Sequence, residues 1–273
     1  HGRAAVLDAV LEARKPLLLQ KPLAYSFAEA RRLVERFAEA EIPLAVNQNL
    51  RFAPESQAAR HLIARGVLGQ VFDLRWTMRW TADSRPWARD AWYARDARFQ
   101  ILSWSIHHLD LFRFLLSQEP EAVYCALPRA PAQRFRGDIL ASAILRFPGG
   151  TQATMIDSNA ATPGRPEFQE LDIDGTEGSL WLRLSEPRDF QFWLRREMPA
   201  DGENAPAHPI HFDTVWYPDG FAGAMSEFLQ ALEQNREPTI SGRDNLHTMA
   251  LVEACYRSGE ERREVAVEEV FGG

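Results

Sequence analysis

Ala13-Arg14-Lys15-Pro16-Leu17-Leu18-Leu19-Gln20-Lys21-Pro22-Leu23-Ala24 carries the first decision about the fold. Upstream of it, residues 3 to 14 place Ala4, Val6, Leu7, Val10 and Leu11 at helical spacing, and Pro16 ends them. Leu17-Leu18-Leu19 is too short for a helix, so a short buried strand is predicted, closing at Gln20-Lys21-Pro22. Downstream, Ser26 with Glu29 three residues later forms a capping box for a helix carrying Ala30, Leu33, Val34 and Phe37. Pro43 then opens a second strand, Leu44-Ala45-Val46. Strands separated by a helix of this length make a parallel crossover unit, so the opening belongs to an open α/β layer. Ligands of such layers sit at the carboxyl ends of the strands. Both ends are polar here: Gln20-Lys21 and Asn47-Gln48-Asn49-Leu50-Arg51.

From Phe52 onward the pattern changes. A helix from about Pro54 to Ala64 stops at Gly66, and Val71 to Trp80 alternates with the period of a half-buried strand. Arg85 to Arg98, rich in Trp and Arg, is expected to be loop, and Gln100 to Leu116 a helix. Strands are predicted over 121–127, 138–147, 151–158, 167–173, 179–184 and 189–196, with turn signals at Pro148-Gly149-Gly150 and Asp174-Gly175. Such a run makes one large, mostly antiparallel sheet. Helices follow near 220–235 and 243–258, separated by Glu237-Pro238, and Val265-Ala266-Val267 returns as a strand. At about 150 residues per domain the chain corresponds to roughly two, divided at the change of pattern into 1–50 and 51–273.

With 45% apolar, 11% aromatic and 25% charged residues, the chain is an ordinary globular one and not a disordered one. Its 31 basic and 38 acidic residues give a net charge of −7, which argues against a general attraction to nucleic acid or to an anionic membrane. Cys125 and Cys255 cannot make a disulfide framework and lack metal-ligand spacing, so a reducing compartment, the cytoplasm, is expected. No apolar run approaches the roughly 18 residues that span a bilayer. The first residue is His1 and the amphipathic pattern begins at once, so the chain is expected to be a piece of something longer. Of the 31 basic residues, 29 are Arg and only Lys15 and Lys21 are Lys. A lysine kept in so arginine-rich a chain points to a need for an amine.

Lys21 is therefore the first candidate for chemistry. An ammonium at the end of a buried strand, held by Pro22, has a fixed direction and a partly desolvated site, suited to steadying a substrate oxygen. It also reads as a surface lysine beside a turn. In the 101–116 segment, apolar almost all round, Ser103, His107 and Asp110 recur at i, i+4 and i+7 and so share one face. Imidazole accepts a proton near neutral pH, and a carboxylate one turn away can orient it. Alternatively His107 is a hydrogen-bonded core histidine and Asp110 pairs with Arg113 or with backbone. His107 and His108 point to different faces, and His208 and His211 sit in a proline-flanked loop without a carboxylate or cysteine partner, so no metal site is expected. Trp80, Trp87 and Trp92, interleaved with Arg79, Arg85, Arg89 and Arg95, suit stacking on a sugar, a nicotinamide or a base, or packing alone.

Several segments stand in a recognisable order: Ala13 to Ala24; Val46-Asn47-Gln48-Asn49-Leu50-Arg51-Phe52-Ala53-Pro54; Gly66-Val67-Leu68-Gly69-Gln70-Val71; Ile106-His107-His108-Leu109-Asp110; and Phe221 to Phe228 with Gly242 to Ser258. Together they cover nearly the whole chain and resemble the Gfo/Idh/MocA oxidoreductases, the first being similar to that family's AGKHVLCEKPLA. The resemblance implies an NAD(P)-dependent oxidoreductase acting on a sugar, polyol or related small molecule by hydride transfer, with NAD or NADP as cofactor. The fold implied is α/β: the C-terminal part of a Rossmann dinucleotide-binding domain over 1–50, then over 51–273 an α+β substrate domain whose large, mostly antiparallel open sheet makes a homo-oligomer. Lys21 matches the lysine of the family's EKP, and His107 the histidine on the helix after the first long strand. Asp110 is expected to orient His107. Gln20, Lys21, Pro22, Asn47 and Arg51 are expected at the cofactor.

Three departures matter. Gln20 replaces the glutamate of EKP, Ser103 stands where the family carries an acidic residue four before the histidine, and Ala97-Arg98-Phe99 replaces a frequent glycine run. No GxGxxG occurs, so the first strand and glycine loop, some two crossover steps of about 30 residues each, are expected to be missing, with His1 matching the family's histidine after the third or fourth strand. Alone, the chain is expected to bind a dinucleotide poorly and to be inactive. Two other functions remain open: a non-catalytic ligand-binding or assembly member of the same fold, which Ser103 and Gln20 favour, and an NAD-dependent glycoside hydrolase.

Overall fold

The computed structural model describes residues 3–88, 90–164 and 166–272, so His1 and Arg89, both named above, lie outside the described residues. The chain opens with α1 (Arg3–Glu12), β1 (Leu17–Gln20), α2 (Phe27–Glu39) and β2 (Leu44–Asn47). β1 and β2 pair in parallel from Leu17↔Leu44 to Gln20↔Asn47, which sets the two carboxyl ends side by side. α2 starts at the expected cap: the Ser26 hydroxyl accepts the Glu29 amide at 3.3 Å, while the Glu29 carboxylate accepts the Tyr25 amide at 3.2 Å, one residue upstream of the cap. Phe27, Ala30, Leu33 and Phe37 bury one face of this helix.

The expected burial of the opening is only partly found. Leu17, Leu18 and Leu19 are half-buried, and along α1 only Leu7 is buried while Val6 is 61% exposed. Among the described residues β1 has a paired neighbour on one edge alone, so its other edge and the helix beside it meet little apolar surface.

After a short turn at Asn49–Phe52 come α3 (Pro54–Ala64), β3 (Val71–Arg79), a loop holding three brief 3-10 turns, and α4 (Ile106–Leu116). β4 (Ala122–Ala126), β5 (Leu140–Arg146), β6 (Gln152–Ser158), β7 (Phe168–Gly175), β8 (Gly178–Arg183), β9 (Asp189–Leu194) and β10 (His208–Pro209) follow. The chain continues through α5 (Trp216–Glu233), α6 (Gly242–Glu261), β11 (Val265–Ala266) and α7 (Glu268–Phe271). β3 to β11 form one nine-stranded sheet in the order β10-β9-β8-β7-β3-β6-β5-β4-β11. Every pair is antiparallel except β3 with β6.

Alternation along the strands gives the sheet two unlike faces. Leu74, Trp76, Met78, Ala153, Met155, Leu171, Ile173, Leu180 and Leu182 are buried on one face, in the same apolar cluster as residues of α3, α4 and α6. Each large side chain there contributes about 1.5–3 kcal/mol by leaving water. The opposite face exposes Tyr124, Ile144 and Ile156. At the end of β7 the loop after α3 presses so close that a Cβ on Gly175 would lie 2.1 Å from the Leu68 carbonyl oxygen.

The helix expected over 100–116 is two helices. Gln100–Ser105 winds as a π-helix and the regular α4 begins only at Ile106. The Asp138 carboxylate accepts the Phe99 and Ile101 amides at 2.8 and 2.9 Å, which ties the first turn to a neighbouring segment and displaces it from the regular ladder. The predicted polar face of Ser103, His107 and Asp110 therefore breaks at this junction.

Candidate active site

Lys21 follows the carboxyl end of β1 and its ammonium donates to the Ser103 carbonyl in the π-turn. Burial pulls its pKa down to about 8, with no carboxylate close enough to oppose the desolvation. This agrees with the glutamine at position 20. His107, at the first turn of α4, is 8% exposed, and its Nδ1 is buried without a hydrogen-bond partner. Burial, then the Lys21 charge, then His108 hold the imidazole well below its ordinary value, so the ring is neutral at physiological pH. The amine and the imidazole thus meet where the parallel layer faces the head of α4.

Two expected roles need correction. Asp110 does not orient His107. Its carboxylate accepts Arg51 Nε and Nη2 at 2.6 and 2.7 Å and the Thr248 hydroxyl at 2.7 Å, with Arg113 Nη1 at 3.4 Å. Arg51, expected at the cofactor, is spent on the same cluster: it also donates to Asp244 Oδ2 at 2.7 Å and to the Thr239 carbonyl at 3.0 Å. A buried guanidinium requires such neutralisation, and Asp110, buried beside it, supplies it. Asp244 is held below the usual carboxylate range by Arg51 and Arg113, which outweigh its desolvation. The alternative pairing of Asp110 with Arg113 is present as the long contact.

Of the other residues expected at the cofactor, Gln20 is exposed at the end of β1, Pro22 follows Lys21, and Asn47 ends β2. Asn47 is 6% exposed, and its Oδ1 is buried without a partner. His108 turns away from His107, as expected of adjacent helical residues. Its Nδ1 lies 2.7 Å from Asp157 Oδ2 and its ring stacks on Trp76 at 4.1 Å. Asp157 also accepts Trp76 Nε1 at 3.1 Å and the Ser105 hydroxyl. Among the described residues no group of three His, Cys, Asp or Glu could hold a metal ion, and His208 pairs with Glu197 at 2.5 Å. Trp80 packs on Trp104 at 4.5 Å, whereas Trp87 and Trp92 stay exposed.

Sequence reasoning missed Trp216, which meets the His107 ring edge-to-face, and Asn49, whose Oδ1 accepts the Trp216 Nε1 hydrogen at 2.7 Å. Trp216 lies in an aperiodic stretch and gave no signal. Asp157 had one: a carboxylate at an inward position of an alternating strand requires buried partners.

A parallel strand pair with a desolvated amine at its carboxyl end, facing an imidazole on a helix that covers a large mostly antiparallel sheet, is an α/β fold whose candidate residues lie at the strand ends, where such layers bind ligands. Residues 56–181 match the GFO/IDH/MocA C-terminal domain model. The chain is 29% identical over 266 residues to a D-apiose dehydrogenase of Paraburkholderia graminis, covering 96% of this chain and 69% of that protein. It is 26% identical over 275 residues to a myo-inositol 2-dehydrogenase of Thermotoga maritima, covering 100% and 78%. A solved oxidoreductase from Agrobacterium radiobacter, in complex with NAD+, L-tartaric acid and magnesium, superposes with a TM-score of 0.80 at 26% identity over 98% of this chain and 78% of that one. Residues 56–181 thus match a GFO/IDH/MocA C-terminal domain, and over nearly its whole length the chain is similar to sugar and polyol dehydrogenases.

Proposed function

We propose that this protein is an NAD(P)-dependent oxidoreductase that transfers a hydride between the cofactor and a carbinol carbon of a sugar, polyol or related small molecule. The observation that carries it is the convergence of Lys21 and His107, far apart in sequence, at the carboxyl end of the parallel strands. The nicotinamide, when bound, supplies the hydride acceptor. Residues 1–50 form the dinucleotide side and 51–273 the substrate side. Gln20, Lys21, Pro22 and Asn47 fit a cofactor there, because Asn47 Oδ1 is a buried acceptor lacking a donor. Arg51 does not, since its donors are engaged.

His107, neutral, accepts the hydroxyl proton of the alcohol as the carbon loses hydride. The Lys21 ammonium donates a hydrogen bond to the developing alkoxide and stabilises its charge. With a pKa near 8 it also gives or takes a proton close to neutral pH, a second route for the same proton. NAD(P)H absorbance against a range of sugars and polyols, measured with a glycine-loop segment restored upstream of this chain, tests this, with Lys21→Ala and His107→Ala as controls; unchanged turnover in both variants removes the assigned roles.

The D-apiose and myo-inositol dehydrogenase relatives favour a polyhydroxylated substrate. No helix of the described residues is long and apolar enough to cross a membrane; the two free, buried cysteines, Cys125 and Cys255, support a reducing compartment such as the cytoplasm. The exposed sheet face supports a homo-oligomer: Tyr124 is registered opposite Ile144, and Ile156 opposite Ser142, so the three side chains share that face.

A further inference from the structure

Among the described residues no hydrogen bond sets the ring of His107. Asp110 is taken by Arg51, the Ser103 carbonyl is taken by Lys21, and Nδ1 is buried without a partner. Trp216 meets the ring: indole and imidazole planes stand at 80° with centroids 6.0 Å apart. The indole is itself fixed. Its Nε1 donates to Asn49 Oδ1 at 2.7 Å, and Asn49 is buried in the turn that follows β2. Gly220 allows the close approach of these parts, since a Cβ there would lie 2.7 Å from the Asn49 carbonyl oxygen and 3.0 Å from Trp216 Cδ1. Arg188 donates to the Glu55 carboxylate at 2.9 Å and to the Thr214 carbonyl at 2.8 Å, pinning the segment that leads into α5 two residues before Trp216.

We propose that Trp216 is a positioning residue for His107, fixing the imidazole plane by packing in a site where no carboxylate fixes it by a hydrogen bond. The catalytic use of that plane rests on the oxidoreductase function proposed above; the packing itself does not. An edge-to-face aromatic contact favours one ring orientation by about 0.5–1.5 kcal/mol. The same contact keeps water from the ring and so disfavours its charged form. The charged and titratable neighbours are Lys21 at the end of β1, His108 with its partner Asp157 on β6, and Asp110 held by Arg51. Trp216 brings no charge, so its removal alters only ring freedom and hydration.

The test is a pH titration of the His107 Cε1–H resonance in histidine-labelled protein, assigned with His107→Gln. In Trp216→Ala the midpoint rises toward the ordinary imidazole value of about 6.5. Asn49→Ala, which frees the indole, moves it the same way by less, and Trp216→Phe, which keeps an aromatic edge, stays close to the parent. An unchanged titration in folded Trp216→Ala overturns the proposal. Should that variant not fold, an unchanged titration in Asn49→Ala overturns it instead. In the hydride-transfer assay Trp216→Ala lowers kcat by about tenfold or more with KM little altered. A parent without hydride transfer would sink the oxidoreductase function while leaving the titration result to stand or fall by itself.

Discussion

Replacing Asp110 by Asn separates a structural carboxylate from a catalytic one. In the parent, Asp110 takes two short hydrogen bonds from Arg51 and one from Thr248, all at 2.6–2.7 Å, in a site where its side chain is 2% and that of Arg51 6% exposed. Removing the charge leaves Arg51 with Asp244 alone and presents an amide N–H to a guanidinium that has only donors. Breaking a buried pair costs about 3–5 kcal/mol. Asp244 still serves both Arg51 and Arg113, so the lower end, about 3 kcal/mol, is expected. At about 2–4 °C per kcal/mol for a chain of this size, Tm falls by about 6–12 °C. Calorimetry on parent and variant reads this directly. A Tm within about 2 °C of the parent would refute the structural assignment.

Further outcomes follow from the same geometry. Lys21 sits at about 8 in the fold against an ordinary 10.5, so the unfolded chain holds more protons between these values and stability rises across that window. Urea denaturation across it shows the rise in the parent, and Lys21→Met abolishes it; a flat parent profile contradicts the desolvated amine. If the ammonium steadies the alkoxide, kcat/KM also falls as pH passes about 8. Gly175→Ala forces a methyl to within 2.1 Å of the Leu68 carbonyl and destabilises by about 1–3 kcal/mol, measured by chemical denaturation. Ile144→Asp with Ile156→Asp on the exposed sheet face converts an oligomer into monomers in analytical ultracentrifugation, whereas an unchanged mass assigns the interface elsewhere.

The elements that could be read from the sequence were those whose periodicity and punctuation agree. Pro16, Pro43 and the Ser26 cap bounded the parallel unit, and turn signals divided the predicted strands of the large sheet to within two residues. The half-burial of β1 was not legible, because Leu17-Leu18-Leu19 reports apolarity and not how many neighbours are present to cover it. The π-helix at Gln100–Ser105 depends on Asp138, more than thirty residues away in sequence, and leaves no local trace. Lys21 and His107 were singled out by type and place. Their partners were not, since spacing on one helix put Asp110 beside His107 whereas the deciding contacts come from Arg51, Thr248 and Asp244 on other elements. Local sequence records which faces are apolar, and it does not record which buried charge answers which.

In the proposed reaction an amine and an imidazole act together on the substrate hydroxyl. Its most direct test is NAD(P)H formation by the parent, Lys21→Ala and His107→Ala, each with a glycine-loop segment restored upstream of this chain, on a polyol that the parent turns over. Each variant should fold as the parent does and lose about 100-fold or more in kcat/KM, with no further loss of comparable size in the double variant. Undiminished kcat/KM in either single variant would contradict the claim.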